Sequence, residues 1–117
     1  MMDMESLIKK PWGSYQVLSK GDGYKIKRIV VFPNSQLSLQ SHNKRSEIWI
    51  ITDGNGVVVK NENNFCVEKF NVINIKVKEK HRISNFYDKN LVFIEIQLGD
   101  YLEEDDIIRY QDIYGRL

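Results

Sequence analysis

The sequence predicts an all-β domain, folded as an antiparallel sandwich or barrel. A series of short runs alternates apolar with polar residues and is rich in β-branched side chains: "SYQVLS", "YKIKRIVVF", "QLSLQSH", "EIWIIT", "GVVVK", "FCVEKF", "NVINIKV", "HRISNF" and "LVFIEIQL". Between them lie turn-forming segments rich in Gly, Pro, Asn and Asp, namely "KGDG", "FPNS", "TDGNG", "NENN" and "YDKN". Strands of about six residues joined by short turns favour antiparallel pairing over a parallel α/β sheet.

The C-terminal segment is the exception to this strand pattern. In "YLEEDDIIRYQDIYGRL" the acidic residues cluster before an apolar pair. Negative charge in the first turn stabilises a helix through its dipole. The segment therefore predicts a short helical turn from Glu103 to Tyr110.

The size and composition predict one folded domain over residues 1–117. The chain has a mass of 13.8 kDa, with 42% hydrophobic and 28% charged residues, which is ordinary globular composition. Its only cysteine, Cys66, excludes an internal disulfide and a cysteine-rich zinc site. The neighbours in "NFCVE" predict a small thiol packed in a strand.

The net charge and the length of the apolar runs indicate whether the protein binds nucleic acid or membranes and in which compartment it is expected. A formal net charge of +1 provides no overall field to attract nucleic acid or an anionic membrane. No run approaches the roughly twenty apolar residues of a membrane span, and the N-terminus lacks the apolar region of a secretory signal. We expect a cytoplasmic protein that binds neither nucleic acid nor membrane.

Polar side chains are concentrated on one face of two successive runs. In "QLSLQSH", alternation places Gln40 and His42 with Ser38 on one side, and Leu37, Leu39 and Ser41 on the other. In "EIWII", Glu47 shares a face with Trp49 and Ile51. If the "NKRS" turn joins the two runs as neighbours, then Gln40, His42 and Glu47 converge.

This group predicts a metal site. An amide oxygen, an imidazole nitrogen and a carboxylate oxygen suit a borderline divalent cation such as zinc, manganese, iron or nickel. The chain has one other histidine, His81, and a closed barrel would bring it beside the first three as a fourth ligand. The alternative is that the histidines are ordinary core or surface residues and that Glu47 pairs with Arg45 or Lys44.

The spacing of these residues resembles the first motif of the cupins. Gln40, Ser41 and His42 stand in the place of the His-x-His element. Glu47 follows after four residues and Gly54 after six more. Asn34 stands in place of the leading glycine.

The second cupin motif is represented by its last part. His81 and Asn85 match its final His and Asn, whereas Lys76 and Lys78 replace the usual Pro and Gly. The resemblance implies a cupin-type antiparallel jelly-roll β-barrel.

Six segments in order narrow the resemblance: "KKPWGSYQVL", "GYKIKRI", "LSLQSH", "RSEIW", "KHRISN" and "GDYLEEDDIIRYQDIYGR". From Pro11 to Arg116 the chain resembles the C-terminal domain of bifunctional type II phosphomannose isomerase/mannose-1-phosphate guanylyltransferases. That family's N-terminal nucleotidyltransferase domain has no counterpart in the 117 residues, so guanylyl transfer is not expected. A separate nucleotidyltransferase is a candidate partner.

The resemblance implies interconversion of mannose 6-phosphate and fructose 6-phosphate by a metal-dependent isomerase. The implied metal ligands are Gln40, His42, Glu47 and His81, with zinc the preferred ion and manganese, iron or nickel the alternatives. The chain departs from the family where histidines are usual: Asn43 and Lys44 precede Arg45, and Ile48 precedes Trp49.

An isomerase also needs a base for the carbon acid and a site for the phosphate. Glu95, in "LVFIEIQL", shares a face with Leu91, Phe93 and Gln97, and a carboxylate among apolar neighbours has a pKa suited to proton transfer. The alternative for Glu95 is an ion-paired strand residue. Guanidinium groups bind phosphate oxygens in pairs, and the candidates, in order, are Arg45, Arg28 and Arg109.

Two other classes of function are compatible with the same sequence. One is a different sugar or sugar-nucleotide isomerase or epimerase in polysaccharide biosynthesis, since fold does not fix substrate. The other is a non-catalytic module that binds a sugar or sugar nucleotide. For any of these functions, the resemblance to cupins implies that the terminal segments "PWGSY" and "DIYGRL" cover the barrel or pack across a dimer interface. An uncovered sheet edge would otherwise invite association, and we expect a homodimer.

Overall fold

The computed structural model describes residues 6–116, and this part of the chain folds into two antiparallel sheets. The strands are β1 (Ile8–Lys10), β2 (Gly13–Gly21), β3 (Tyr24–Val31), β4 (Ser35–Gln36), β5 (Leu39–Ser41), β6 (Ser46–Asp53), β7 (Asn55–Lys60), β8 (Asn63–Glu68), β9 (Val72–Ile75), β10 (His81–Asn85), β11 (Leu91–Leu98) and β12 (Ile108–Gln111). The prediction of an all-β antiparallel fold is confirmed.

The order of strands distributes the polar residues between the two sheets. One sheet runs β1-β2-β3-β11-β6-β9, and the other runs β12-β5-β10-β7-β8, with β4 beside β10. Glu47 and Glu95 therefore belong to the first sheet, whereas Gln40 and His81 belong to the second. Side chains that point inward from both sheets meet in the interior.

The interior changes from apolar to polar along the paired strands β6 and β11. Phe93 lies opposite Ile51, Glu95 opposite Trp49, and Gln97 opposite Glu47. These six side chains are all buried. Burying a large apolar side chain contributes roughly 1.5–3 kcal/mol, so the apolar end supplies the stability that holds the polar end in place.

The apolar part of the interior is one cluster with members from both sheets. Its buried residues are Trp12, Ile29, Val31, Trp49, Ile51, Val58, Val67, Ile73, Ile75, Ile83, Leu91 and Phe93. Trp49 belongs to this cluster and also lines the cavity at the polar end. The predicted metal ligands therefore lie directly beside a packed core.

The helical turn predicted from Glu103 to Tyr110 is wrong. Residues 6–116 contain no helix, and Ile108–Gln111 instead forms β12, which pairs with β5. The preceding turn is held by the Asp106 carboxylate, which accepts hydrogen bonds from the backbone N–H groups of Asn43 and Lys44, both at 2.9 Å. These long-range bonds outweigh the weak local preference for helix. No helix able to cross a lipid bilayer is therefore found in the described residues.

The prediction of a packed thiol at Cys66 is also wrong. Cys66 lies in β8 as predicted, but its side chain is exposed. Strand β8 is the outer strand of its sheet, and Val67 is its one buried residue. An edge strand has fewer neighbours to cover its side chains than a central one, which explains the exposure.

Candidate metal centre

Three of the predicted ligands converge at the polar end of the interior. His42 follows β5 directly, Glu47 lies in β6, and His81 begins β10. Their ligand atoms all lie within 4.8 Å of one another. The Nε2 atom of His42 is 3.1 Å from Glu47 Oε2, and the Nε2 atom of His81 is 3.9 Å from Glu47 Oε1. All three side chains are almost completely buried, at 2–3% exposure.

Backbone carbonyls orient both imidazole rings. The Nδ1 atom of His42 lies 2.6 Å from the carbonyl oxygen of Asp106, and that of His81 lies 2.9 Å from the carbonyl oxygen of Glu79. A carbonyl oxygen only accepts, so each Nδ1 donates its N–H to the carbonyl, which leaves Nε2 as the ring nitrogen on the side of Glu47. Both Nε2 atoms point toward Glu47. This is the arrangement by which metal-binding histidines are usually held.

The Glu47 carboxylate receives a hydrogen bond at each oxygen. Trp49 Nε1 donates to Oε1 at 2.9 Å, and Arg45 Nε donates to Oε2 at 2.8 Å. Burial acts to raise the pKa of Glu47, but His42, His81 and Arg45 outweigh it and hold that pKa well below its usual range. Burial lowers the pKa of His81, against the opposing charge of Glu47. The cluster therefore presents an ionised carboxylate and a neutral His81 imidazole.

Gln40 lies on the wall of the same cavity. In the sheet it stands opposite His81 on one side and Arg109 on the other. Its amide nitrogen donates to the Ser38 carbonyl oxygen at 3.4 Å. The predicted alternation fails just before it: Leu37 also lines this cavity, because the chain leaves strand geometry between β4 and β5.

The donor atoms suit a divalent cation. Two imidazole nitrogens and a carboxylate oxygen, with the Gln40 amide nearby, are the mixed ligands of zinc and related ions. Ligand atoms about 2.1 Å from one tetrahedral ion lie roughly 3.4 Å apart. The distances of 3.1 and 3.9 Å from Glu47 to the two histidines bracket that value. The residues thus fit a metal ion of this kind.

Arg45 occupies the space beside two of these groups. Besides its bond to Glu47, its Nη2 atom lies 3.3 Å from His42 Nε2. The ion pair of Glu47 that is the alternative to a metal site is therefore present, and its partner is Arg45. Lys44 is exposed, with its Nζ over the Tyr101 ring at 4.4 Å from the centroid. Burial acts to lower the pKa of Arg45, but Glu47 and Glu95 reverse that effect, and the guanidinium is charged.

Glu95 lines the cavity next to the cluster. It is buried, and its cross-strand neighbours are Lys27 on β3 and Trp49 on β6. Gln97 Nε2 donates to Glu95 Oε1 at 2.6 Å. Burial and the charge of Glu47 raise the pKa of Glu95 to about 7, in spite of Lys27 and Arg45. A carboxyl group with such a pKa exchanges its proton near neutral pH.

A second, larger cavity adjoins this one. The cavity around the cluster has a volume of about 30 Å³ and its neighbour about 120 Å³, and both are lined by Leu37, Gln40, Arg45 and Glu95. The larger cavity is rich in cationic side chains: Lys10, Lys27, Arg45, Arg109 and Arg116. Arg28 is absent from both linings and is exposed, because it points away from Lys27 and Ile29 on β3.

Sequence reasoning missed two contributors to the site. Lys27 is buried, and its Nζ lies 2.8 and 3.0 Å from the two carboxylate oxygens of Glu104. Its position in "YKIKRI", two residues before Ile29 and so on the same face of the strand, was an available signal. The second is Asp106, which orients His42 from 64 residues away, and no local pattern indicates such a contact.

Solved structures share this fold. Oxalate decarboxylase from Bacillus subtilis has a TM-score of 0.77 and 16% identity, covering 90% of this chain and 29% of that one. The plu4264 protein from Photorhabdus luminescens has a TM-score of 0.71 and 21% identity, covering 91% and 88% of the two chains. The fold is the cupin-type jelly-roll barrel that the resemblance implied.

Relatives in sequence are considerably closer. The alginate biosynthesis protein AlgA of Pseudomonas syringae pv. tomato is 42% identical over 109 residues, which are 93% of this chain and 23% of that protein. The xanthan biosynthesis protein XanB of Xanthomonas campestris pv. campestris is 38% identical over 109 residues, again 93% and 23%. The mannose-1-phosphate guanylyltransferase ManC of Salmonella typhimurium is 36% identical over 114 residues, 97% and 24%. The chain spans about a quarter of the length of these relatives.

The match at the level of the family covers nearly the whole chain. Residues 1–112 match the family described as mannose-6-phosphate isomerase C-terminal. That range contains His42, Glu47, His81 and Glu95, which form the polar end of the interior. The chain belongs to the family of mannose-6-phosphate isomerase C-terminal domains.

Proposed function

We propose that this domain is a metal-dependent aldose–ketose isomerase for a phosphorylated sugar, with mannose 6-phosphate and fructose 6-phosphate as the first pair to test. The observation that carries the proposal is the position of Glu95. A buried carboxyl group with a pKa raised to about 7 lines the same small cavity as His42, Glu47 and His81. Membership of the isomerase family supports the choice of reaction.

Gln40, His42, Glu47 and His81 would hold the cation, for which zinc is preferred and manganese, iron or nickel are alternatives. When bound, such a cation acts as a Lewis acid that stabilises negative charge on the sugar oxygens at C1 and C2. The chain's own contribution is to present the Nε2 atoms of two oriented imidazoles and an ionised carboxylate. Hydrogen bonds from Trp49 and to Asp106 hold these groups in orientation.

Glu95 is the proposed base. Its carboxylate takes the proton from C2 of the aldose and returns it to C1. The hydroxyl proton passes from O2 to O1 at the same time, so the C1 aldehyde becomes an alcohol and the C2 hydroxyl becomes a ketone. A pKa of about 7 leaves a large fraction of the group ionised at neutral pH while keeping it basic enough to accept the proton. The hydrogen bond from Gln97 fixes one of its oxygens.

The larger cavity is the proposed site for the sugar phosphate. Arg45 and Arg109 both line it, and a guanidinium binds phosphate oxygens in pairs. Arg28, one of the sequence candidates, is left out of this proposal because its side chain is exposed outside the cavity. The buried Lys27 adds a further positive charge to the wall.

The test is turnover by the purified domain after loading with each metal in turn. Mannose 6-phosphate is assayed beside a panel of other phosphorylated and nucleotide-linked sugars. We expect Glu95→Gln to lower kcat by about 10²- to 10⁴-fold, the usual contribution of a general base, with the metal content unchanged. Arg28→Gln serves as a matched control and keeps full activity. Turnover that is unaffected in Glu95→Gln would remove Glu95 from the mechanism.

One observation favours a second function, a non-catalytic module that binds a sugar or sugar nucleotide. Arg45 donates to Glu47 Oε2 and contacts His42 Nε2, so the carboxylate has a cationic partner within the chain itself. A protein that binds sugar phosphates equally well with and without metal, and turns over none of the panel, would support this module in place of the isomerase.

A further inference from the structure

Arg45 lines both cavities. On the side of the smaller cavity, Nε donates to Glu47 Oε2 at 2.8 Å and Nη2 lies 3.3 Å from His42 Nε2. The remaining nitrogen, Nη1, is buried and has no hydrogen-bond partner among residues 6–116. The same side chain lines the larger cavity. In this position the Arg45 guanidinium has one nitrogen, Nη1, that makes no hydrogen bond within the described residues.

A cation at the cluster competes with Arg45 for the same atoms. The lone pair of His42 Nε2 and the charge of Glu47 Oε2 are what a metal ion would bind, and both now face the guanidinium. Two positive charges at this distance in a buried place repel each other strongly. Binding of a cation therefore requires that the guanidinium leave Glu47.

The larger cavity offers the guanidinium another anion to bind. Ser38 and Arg109 line it, and Ser38 Oγ and Arg109 Nε are both buried without a hydrogen-bond partner in the described part of the chain. A buried polar atom without a partner costs free energy, and native structures contain few of them. Together with Arg45 Nη1, these atoms provide the donors that a tetrahedral oxyanion accepts from.

We propose that Arg45 exchanges between Glu47 and a dianionic oxyanion bound in the larger cavity with Ser38 and Arg109, so that cation and oxyanion promote each other's binding. The oxyanion draws the guanidinium from Glu47 and opens the cluster to the cation. The cation, in turn, releases the guanidinium to the oxyanion. Identifying the oxyanion as the phosphate of a sugar rests on the proposed function, but the coupling itself does not.

The experiment measures the affinity for Mn²⁺ by calorimetry, with and without sulfate at constant ionic strength. Sulfate is the tetrahedral dianion of choice because its manganese salt is soluble. We expect sulfate to tighten Mn²⁺ binding about tenfold, within the roughly 5- to 150-fold range of coupled sites. Mn²⁺ must tighten sulfate binding by the same factor, because the coupling is reciprocal. An Mn²⁺ affinity that sulfate leaves unchanged overturns the proposal.

Substitutions separate Arg45 from a general effect of charge. Arg45→Met is expected to bind Mn²⁺ more tightly than the unaltered protein in the absence of sulfate, and to show no response to sulfate. Arg28→Met removes the same charge from an exposed position outside the cavity and keeps the response. If sulfate still tightens Mn²⁺ binding in Arg45→Met, the exchange is contradicted. It is also contradicted if sulfate no longer tightens Mn²⁺ binding in Arg28→Met.

A second variant covers the case in which Arg45→Met does not fold. Arg45→Lys keeps the charge but loses the planar fork, and its response to sulfate is expected to fall to less than half of the original. A full response in Arg45→Lys counts against the proposal. None of these measurements depends on turnover. An inactive protein with intact coupling contradicts only the isomerase proposal, and an active protein without coupling contradicts only the exchange of Arg45.

Discussion

The pKa of Glu95 is predicted to depend on Lys27, and Lys27→Met tests this dependence. The two residues stand directly opposite each other on β3 and β11, so their side chains point to the same face. Burial and then Glu47 raise the pKa of Glu95 to about 7, whereas Lys27 lowers it. Removing the lysine therefore raises the pKa of Glu95 further.

The size of the change follows from the geometry of the pair. Opposite residues in antiparallel strands have Cβ atoms about 5 Å apart, and we take a separation of roughly 7 Å for the charged groups at the ends of these two longer side chains. With an effective dielectric constant of about 20, the interaction is roughly 2 kcal/mol, or between one and two pKa units. Because Lys27 also contacts Glu104, we expect the lower end of that range.

The assay is a pH titration of the metal-free protein labelled with ¹³C at glutamate carboxyl carbons, with the Glu95 signal identified by its loss in Glu95→Gln. Lys27→Met is expected to move the midpoint from about 7 to about 8. Arg28→Met removes an exposed charge from the opposite face of β3 and should move it by less than about 0.3 units. A Glu95 midpoint that stays the same or falls in Lys27→Met would refute the reasoning.

Three further predictions concern the groups around the cluster. Asp106→Ala removes two hydrogen bonds to backbone N–H groups and is expected to cost about 1–3 kcal/mol by denaturant unfolding, whereas Asp100→Ala, at an exposed position, stays within about 0.5 kcal/mol. Trp49→Phe keeps the ring packing but loses the donor to Glu47; we expect a loss of about 1.5–3 kcal/mol, and an unchanged free energy of unfolding would contradict the role of that bond. The pKa of Glu95 is raised from 4.5 in the unfolded chain to about 7 in the folded protein, so its contribution to stability is complete below pH 4.5 and is lost as pH rises through about 7. Between pH 4.5 and pH 8 the free energy of unfolding of the metal-free protein should therefore fall by roughly 3 kcal/mol relative to that of Glu95→Gln. Curves of unfolding free energy against pH that run parallel for the unaltered protein and Glu95→Gln would disprove this prediction.

Strand alternation accounts for most of what the sequence predicts correctly. Because inward-facing positions repeat every two residues, the pattern places Glu47 with Trp49 and Glu95 with Phe93 before any contact is known. The same argument places Gln40 and His42 together, since both lie on one short stretch. His81 required the further assumption of a closed barrel, and the pairing of β10 with β5 satisfies it.

The failures arise where long-range contacts override local pattern. The acidic segment after Tyr101 has local helix signals, yet the carboxylate of Asp106 binds backbone groups more than sixty residues earlier in the chain. Leu37 faces the cavity because the strand is interrupted beside it, and a periodic pattern cannot anticipate an interruption. Lys27 is buried through its ion pair with Glu104, a partner 77 residues away.

The central claim is that Gln40, His42, Glu47 and His81 share one cation. The most direct measurement is a crystal structure of the metal-loaded protein, with diffraction data collected on both sides of the metal's absorption edge. The account predicts one anomalous peak, about 2.0–2.3 Å from the Nε2 atoms of both histidines and from oxygens of Glu47 and Gln40. A map without a peak there, with the Arg45 guanidinium still bonded to Glu47 in a solution of excess metal, would contradict it.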